Sequence, residues 1–181
     1  MKKIVLLLSI SLFSISFSFS QCWVSIDVKG DTNSAQLAIR NDGTLWDLTP
    51  GIVPFQVDAN TDWDRCFSSF LSKFGIKTDS SLWGWGANYY GELGINSTLP
   101  VAAPVLLNSD KWIDVSSSWG RTTAIKSDHT LWFWGNTSQL TPIQIGITND
   151  WWKIHAESNV AMAIKNDGTL WTGAPGNVLA Q

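Results

Sequence analysis

Charge is scarce in this sequence. Of its 181 residues 15% are Asp, Glu, Lys or Arg, and only three are arginine: Arg40, Arg65 and Arg121. With a net charge of −3 and only three arginines to grip phosphates, a general nucleic-acid binder is disfavoured and no nucleic-acid partner is expected. Histidine and cysteine number two each, His129 and His155, Cys22 and Cys66, which is too few and too scattered for a zinc site. There is no Gly-x-Ser-x-Gly nucleophile elbow and no phosphate-cradling glycine loop. No catalytic residues, no metal and no cofactor are therefore expected. What the sequence has in excess is tryptophan, 12 residues. Few charges with many aromatics is the reverse of a disordered composition, and the length suits one domain with a substantial core.

The first twenty residues read as a targeting segment. Met1-Lys2-Lys3 gives a positive start, Ile4 to Phe13 an apolar run, and Ser18-Phe19-Ser20 small residues at the two positions a signal peptidase reads. The expected division is a signal peptide at 1–20 and an exported repeat region at 21–181; loss of Lys2 and Lys3 takes the net charge from −3 to −5. As a membrane span the segment is short. Its apolar stretch of about 16 residues is broken by Ser9, Ser11, Ser14 and Ser16, against roughly 20 needed. Cys22 invites a lipoprotein reading, but Gln21 stands where such signals carry a small residue. Export also permits a Cys22–Cys66 disulfide. Against it, Cys66 aligns with Ile26, Val115 and Ile154 in the repeats, which reads as a small buried apolar side chain.

The repeats are the strongest signal. Leu37 to Trp46 (LAIRNDGTLW), Phe74 to Trp83 (FGIKTDSSLW), Thr123 to Trp132 (TAIKSDHTLW) and Met162 to Trp171 (MAIKNDGTLW) align without gaps. Self-similarity at about 40 residues marks a propeller or a solenoid. A second tryptophan precedes each segment: Trp63, Trp112 and Trp151 lie 20 residues before Trp83, Trp132 and Trp171, and Trp23 lies 23 before Trp46. A Pro-led apolar run follows at Pro54, Pro104 and Pro142, and the fourth unit has no obvious counterpart. The stretch from Trp112 to Ser116 alternates apolar and polar, as a strand requires. Leu37, Phe74, Thr123 and Met162 share a face with Ile39, Ile76, Ile125 and Ile164, while Ala38, Gly75, Ala124 and Ala163 on the other face are expected to let a neighbouring sheet approach closely. Asp42-Gly43 and Asp167-Gly168 are favoured hairpin turns, with Asp79-Ser80 and Asp128-His129 at the same place. Each unit is then a four-stranded antiparallel meander, a propeller blade. The fold class is all-β, with about three and a half to four blades.

The A-I-K-x-D-G-T-L-W segment, the glycine-rich stretch Trp85 to Gly94 (WGANYYGELG) and the P-I-Q-I-G strand together resemble the regulator-of-chromosome-condensation (RCC1-like) repeat family over nearly all of residues 22–177. The full glycine-rich motif appears only in the second unit; Trp134-Gly135-Asn136 is a shortened version, and the first and fourth units lose it. The resemblance implies a propeller whose face loops hold protein partners, in the manner of a secreted bacterial member. Seven blades of this kind need roughly 300 residues or more, so an incomplete ring is expected. It reads as a truncated product, an open arc, or a half-ring completed by a second copy, with self-association through the open ends.

The expected function is a secreted or cell-surface protein-interaction module without catalysis and without a membrane span. The alternative is a carbohydrate-binding or accessory propeller of a larger extracellular enzyme. Sialidases also use propellers with Asp-containing repeats, but they need an arginine triad and a tyrosine nucleophile, and here the only tyrosines are the adjacent Tyr89 and Tyr90. Ten of the tryptophans recur at equivalent positions, which is a packing signature; Trp119 and Trp152 do not. Trp119 falls in a short turn where the other units carry Gly30, Phe70 and Ser158, and Arg121 follows two residues later. Trp with Arg is a common hot-spot pairing. The candidate partner-binding residues are therefore Trp119 and Arg121, with Tyr89 and Tyr90 as secondary candidates because Tyr presents apolar area with a polar tip.

Overall fold

The computed structural model describes residues 22–28, 35–158 and 160–181; the signal peptide expected at 1–20 and the turn position Gly30 lie outside them. The described chain is all-β, with fifteen strands in four antiparallel sheets that follow one another in sequence. Blade 1 comprises β1 (Trp23–Val28), β2 (Gln36–Arg40), β3 (Leu45–Asp47) and β4 (Phe55–Gln56). Blade 2 comprises β5 (Trp63–Ser68), β6 (Ser72–Lys77), β7 (Leu82–Gly86) and β8 (Val101–Leu106). Blade 3 comprises β9 (Trp112–Ser118), β10 (Arg121–Lys126), β11 (Leu131–Gly135) and β12 (Gln139–Ile145). Blade 4 has three strands, β13 (Trp151–Glu157), β14 (Val160–Lys165) and β15 (Leu170–Gly173), and a single bridge from Thr172 to Ala180 stands where the fourth strand runs elsewhere.

The D-x-T-L-W segment is a hydrogen-bond relay. Asp42, Asp79, Asp128 and Asp167 each accept the backbone N–H two residues on, at 2.9–3.0 Å. The hydroxyl of that residue, Thr44, Ser81, Thr130 or Thr169, accepts the indole N–H of Trp46, Trp83, Trp132 or Trp171. The intervening residue is left-handed in every blade, including Ser80 (φ 66°) and His129 (φ 65°), so the turn geometry holds where glycine is absent. These hydrogen bonds hold the four turn carboxyls below the usual carboxylate range.

The Lys of the A-I-K segment serves the two recurring tryptophans of its own blade. Lys126 Nζ sits 3.4 Å from the Trp132 ring centroid and 5.3 Å from that of Trp112, and pairs with Asp110 at 2.8 Å. Lys77 and Lys165 repeat the arrangement on Trp63 and Trp83 and on Trp151 and Trp171, with Asp62 and Asp150 as ion partners; Arg40 lies over Trp23 and Trp46 in blade 1. The space at Gly75 belongs to this packing. A Cβ there would collide with the Trp63 ring of the same blade, so the small residue makes room for the blade's own tryptophan, while its counterparts Ala124 and Ala163 lie in the cores shared with the preceding blade, as the expected close approach of a neighbouring sheet requires.

Each blade has a leading face toward the next blade and a trailing face toward the one before. Leu37, Ile39 and Leu45 lead into Trp63, Cys66 and Trp85 of blade 2. Phe74, Ile76 and Leu82 lead into Trp112, Val115, Ala124 and Trp134 of blade 3. Ile125, Leu131 and Phe133 lead into Trp151, Ile154 and Ala163 of blade 4. The innermost strands are stitched by polar side chains: Asp27 accepts the Ser68 N–H, Arg65 donates to the Ile113 carbonyl, Asp114 accepts the Ile154 N–H at 3.1 Å and Ser116 the Ala156 N–H at 2.8 Å. Burial pushes the Asp114 carboxyl above its usual range, opposed by that backbone hydrogen bond. The interfaces join β1 and β2 to β5, β5 and β6 to β9, and β9 and β10 to β13. No comparable packing joins blade 4 to blade 1 among the described residues.

No disulfide joins Cys22, which is exposed, to Cys66, which is buried, and burial pushes the Cys66 thiol up to about 12.

Candidate partner-binding surface

Hairpins such as β10–β11 place the relay aspartates at one rim of the arc. The opposite rim carries the short turns between the first two strands of each blade, together with the long loop after β7. That loop is held by its own polar side chains. Asn88 accepts the Leu93 N–H at 2.8 Å and donates to the carbonyls of Ser97 and Leu99. The buried Glu92 accepts from the Tyr90 N–H (2.8 Å) and the Ser72 hydroxyl (3.1 Å), while its backbone carbonyl accepts from Thr122 Oγ1 and Trp134 Nε1 of blade 3. The N-Y-Y-G-E-L-G stretch therefore spans two blades and fixes Tyr90 over the β9–β10 turn. Gly120 is required there: its φ is 72°, and a Cβ would run into the Tyr90 ring.

Trp119 precedes Gly120 in that turn with φ 49° and is 64% exposed. A bulky non-glycine residue in the left-handed region is uncommon and costs about 1–2 kcal/mol. The Trp119 ring stacks on Phe70, the turn residue of blade 2, with centroids 5.8 Å apart and planes 11° from parallel. Phe70 is itself exposed. Beside this pair lies a hollow of about 390 Å³ lined by Tyr90, Trp119, Arg121, Asn136 and Ser158. Arg121 Nη2 donates to Asn136 Oδ1 at 3.2 Å, and both residues line the hollow.

Three of the four residues singled out from sequence, Trp119, Arg121 and Tyr90, thus meet at one hollow. Tyr89 is exposed but outside the lining, and Trp152 is half-exposed on β13. Sequence reasoning missed Phe70 and Asn136 as members of the surface. The signal for Phe70 was present, since it aligns with Trp119 and adjacent blades bring equivalent turns side by side. Asn136 carried no such signal, because its role follows from where its side chain meets Arg121. Among the described residues no group of three or more His, Cys, Asp or Glu is placed to hold a metal ion. A second hollow of about 420 Å³ lies along the innermost strands, where Asp27, Asp114 and Ser116 point, but these already bond neighbouring backbone.

Residues 79–125 match the model of the Regulator of chromosome condensation (RCC1) repeat. Over 94 residues the chain is 26% identical to the Ultraviolet-B receptor UVR8 of Arabidopsis thaliana, a match covering 49% of this chain and 21% of that receptor. Among solved structures, yeast RCC1 (Prp20) bound to Kap60 superposes with a TM-score of 0.73 at 13% identity, over 87% of this chain and 45% of the other. Human WBSCR16 superposes with a TM-score of 0.70 at 10% identity, over 78% and 45%. The chain spans less than half the length of each of these proteins. At such identities the structural likeness speaks for the propeller fold, and the repeat match speaks for RCC1-like repeats within it.

Proposed function

We propose that this chain is an exported RCC1-like repeat protein that binds a protein partner through the turn rim centred on Trp119, without chemistry of its own. One observation carries the reading: Trp119 is held in a costly left-handed conformation and still projects an exposed ring, stacked on Phe70 and flanked by Arg121 and Tyr90. No core demand requires a tryptophan there, since Ser158 serves in the equivalent turn of blade 4 with φ 50°. Exposed Trp, Arg and Tyr beside a hollow are the residue types that dominate interface energetics. The comparisons lend support, because yeast RCC1 (Prp20) is solved with Kap60 and has binding properties toward Gsp1p and histones. Export rests on the charged start, apolar run and Ser18-Phe19-Ser20 site of residues 1–20. Intact mass of the protein from its native host should begin at Gln21; retention of Met1 would overturn that part.

A carbohydrate ligand is the second reading, favoured by the exposed Trp119 ring, whose face away from its stacked partner Phe70 offers a flat apolar surface to a sugar. The two readings separate by experiment. Capture from the native host with wild-type and Trp119→Ala protein as baits should recover a protein that the variant loses. Binding on a glycan array that Trp119→Ala abolishes, with no protein captured, would transfer the site to carbohydrate.

A further inference from the structure

The two ends of the arc carry the halves of one more interface. Cys66 and Ser68, Val115 and Ser117, and Ile154 and Ala156 occupy the same trailing-face positions on the innermost strands of blades 2, 3 and 4, and all are under 10% exposed. Their counterparts in blade 1, Ile26 and Val28, are 72% and 58% exposed. On the leading faces, Leu37 and Leu45, Phe74 and Leu82, and Thr123 and Leu131 are buried, whereas their counterparts in blade 4, Met162 and Leu170, are 41% and 51% exposed. Terminal faces of repeat proteins are ordinarily polar. Here both keep the apolar identity of the internal interfaces.

The geometry points to a second copy of this chain as the occupant, with the leading face of blade 4 in one copy seated on the trailing face of blade 1 in the other. The fit is argued from the three interfaces the molecule already makes. Each sets leading-face side chains, most of them branched or aromatic, against a trailing tryptophan, and two of them also against Ala124 or Ala163 at the centre of the second strand. Blade 1 leaves the half-exposed Trp23 uncovered beside Ile26 and Val28, while Ala38, at the position of Gly75, Ala124 and Ala163, is already buried. The polar stitching also matches. Lys153 of β13 stands where Arg65 stands in β5, and Arg65 donates to the carbonyl of Ile113 in the next blade. Lys153 would find the Val24 carbonyl of a second copy at the corresponding place. Such contacts are heterologous, each copy using two different faces, and two copies would bring eight blades together, within the range that propellers close. The surface is separate from the turn rim around Trp119, so the two sites are independent.

Sedimentation velocity of the purified chain at tens of micromolar should show species of two chains, dissociating on dilution. Ile26→Lys removes one half of the interface and Leu170→Asp the other, so each variant alone should sediment as a monomer. A mixture of the two should regain association, because the first keeps a working blade 4 face and the second a working blade 1 face. Circular dichroism melts matching wild type establish that the variants are folded, and Met162→Lys replaces Leu170→Asp if the latter is not. A wild-type chain that is monomeric throughout, single variants that still pair, or a mixture of folded variants that stays monomeric would each overturn the proposal.

Discussion

Replacing Trp119 by glycine separates display from packing more cleanly than alanine does. The native residue has φ 49°, where a non-glycine side chain costs about 1–2 kcal/mol. Glycine removes that cost but adds about 0.5–1 kcal/mol of unfolded-chain entropy. The lost stack on Phe70, at 5.8 Å, is worth about 0.5–1.5 kcal/mol. These terms oppose one another, so Trp119→Gly should change folding stability by no more than about 1 kcal/mol in urea unfolding followed by circular dichroism. A core tryptophan behaves otherwise: Trp112 is 0% exposed, and Trp112→Ala should cost about 3–5 kcal/mol. Binding moves in the opposite sense. If the ring is the anchor of the turn rim, its removal should weaken the captured partner by about 2 kcal/mol or more, roughly 30-fold in Kd. A Trp119→Gly protein destabilised by 3 kcal/mol, or one that binds its partner as tightly as wild type, would refute the reasoning.

Thr130→Val deletes the hydroxyl that bonds Asp128 and accepts the Trp132 indole N–H, and should lower stability by about 1–2 kcal/mol in the same unfolding assay. The turn carboxyls of Asp42, Asp79, Asp128 and Asp167 are held below their usual value near 3.8 by bonds from Thr44, Ser81, Thr130 and Thr169. The unfolded chain therefore binds protons first: their contribution is complete above about pH 4 and lost as pH falls further. Melting temperature should drop on acidification below pH 4, and Asp128→Asn should flatten that slope. Iodoacetamide should label exposed Cys22 promptly in the native protein and Cys66 only after unfolding, because Cys66 is buried and its thiol is pushed up to about 12; prompt labelling of both would contradict the packing of β5 on blade 1.

The blades were legible because the repeat encodes a local circuit. Asp128, Thr130 and Trp132 sit within five residues and bond one another, and Lys126 reaches Trp132 from the same hairpin. Such contacts recur wherever the segment recurs, so alignment alone exposes them. That blade 4 has three strands among the described residues was legible for the converse reason, since no obvious Pro-led strand follows Trp171. The role of the lysines was not anticipated. Their partners Trp63, Trp112 and Trp151 lie more than a dozen residues upstream, and only strand pairing brings them together. The same holds at the candidate surface. Trp119, Arg121 and Tyr90 could be picked out as departures from the repeat, but that Tyr90 covers Gly120 depends on Glu92 and Asn88 folding the loop back across a blade boundary. Sequence departures flagged the residues, and tertiary contacts chose which of them meet.

The two rims of the arc are chemically unlike, and the difference bears on where a partner docks. On the hairpin rim the charged groups are committed to the fold: Lys77, Lys126 and Lys165 are largely buried between tryptophans and paired with Asp62, Asp110 and Asp150, and the turn aspartates are occupied by their own Thr and Ser neighbours. A ligand there would have to displace bonds that every blade uses to hold its tryptophans. On the turn rim the exposed groups are Phe70, Leu71, Tyr89, Tyr90, Leu99 and Trp119, and none closes the core between blades. Covering them removes apolar area from water at little cost to the fold. The hairpin rim thus conserves structure, while the turn rim is where side chains are available to be changed for a partner.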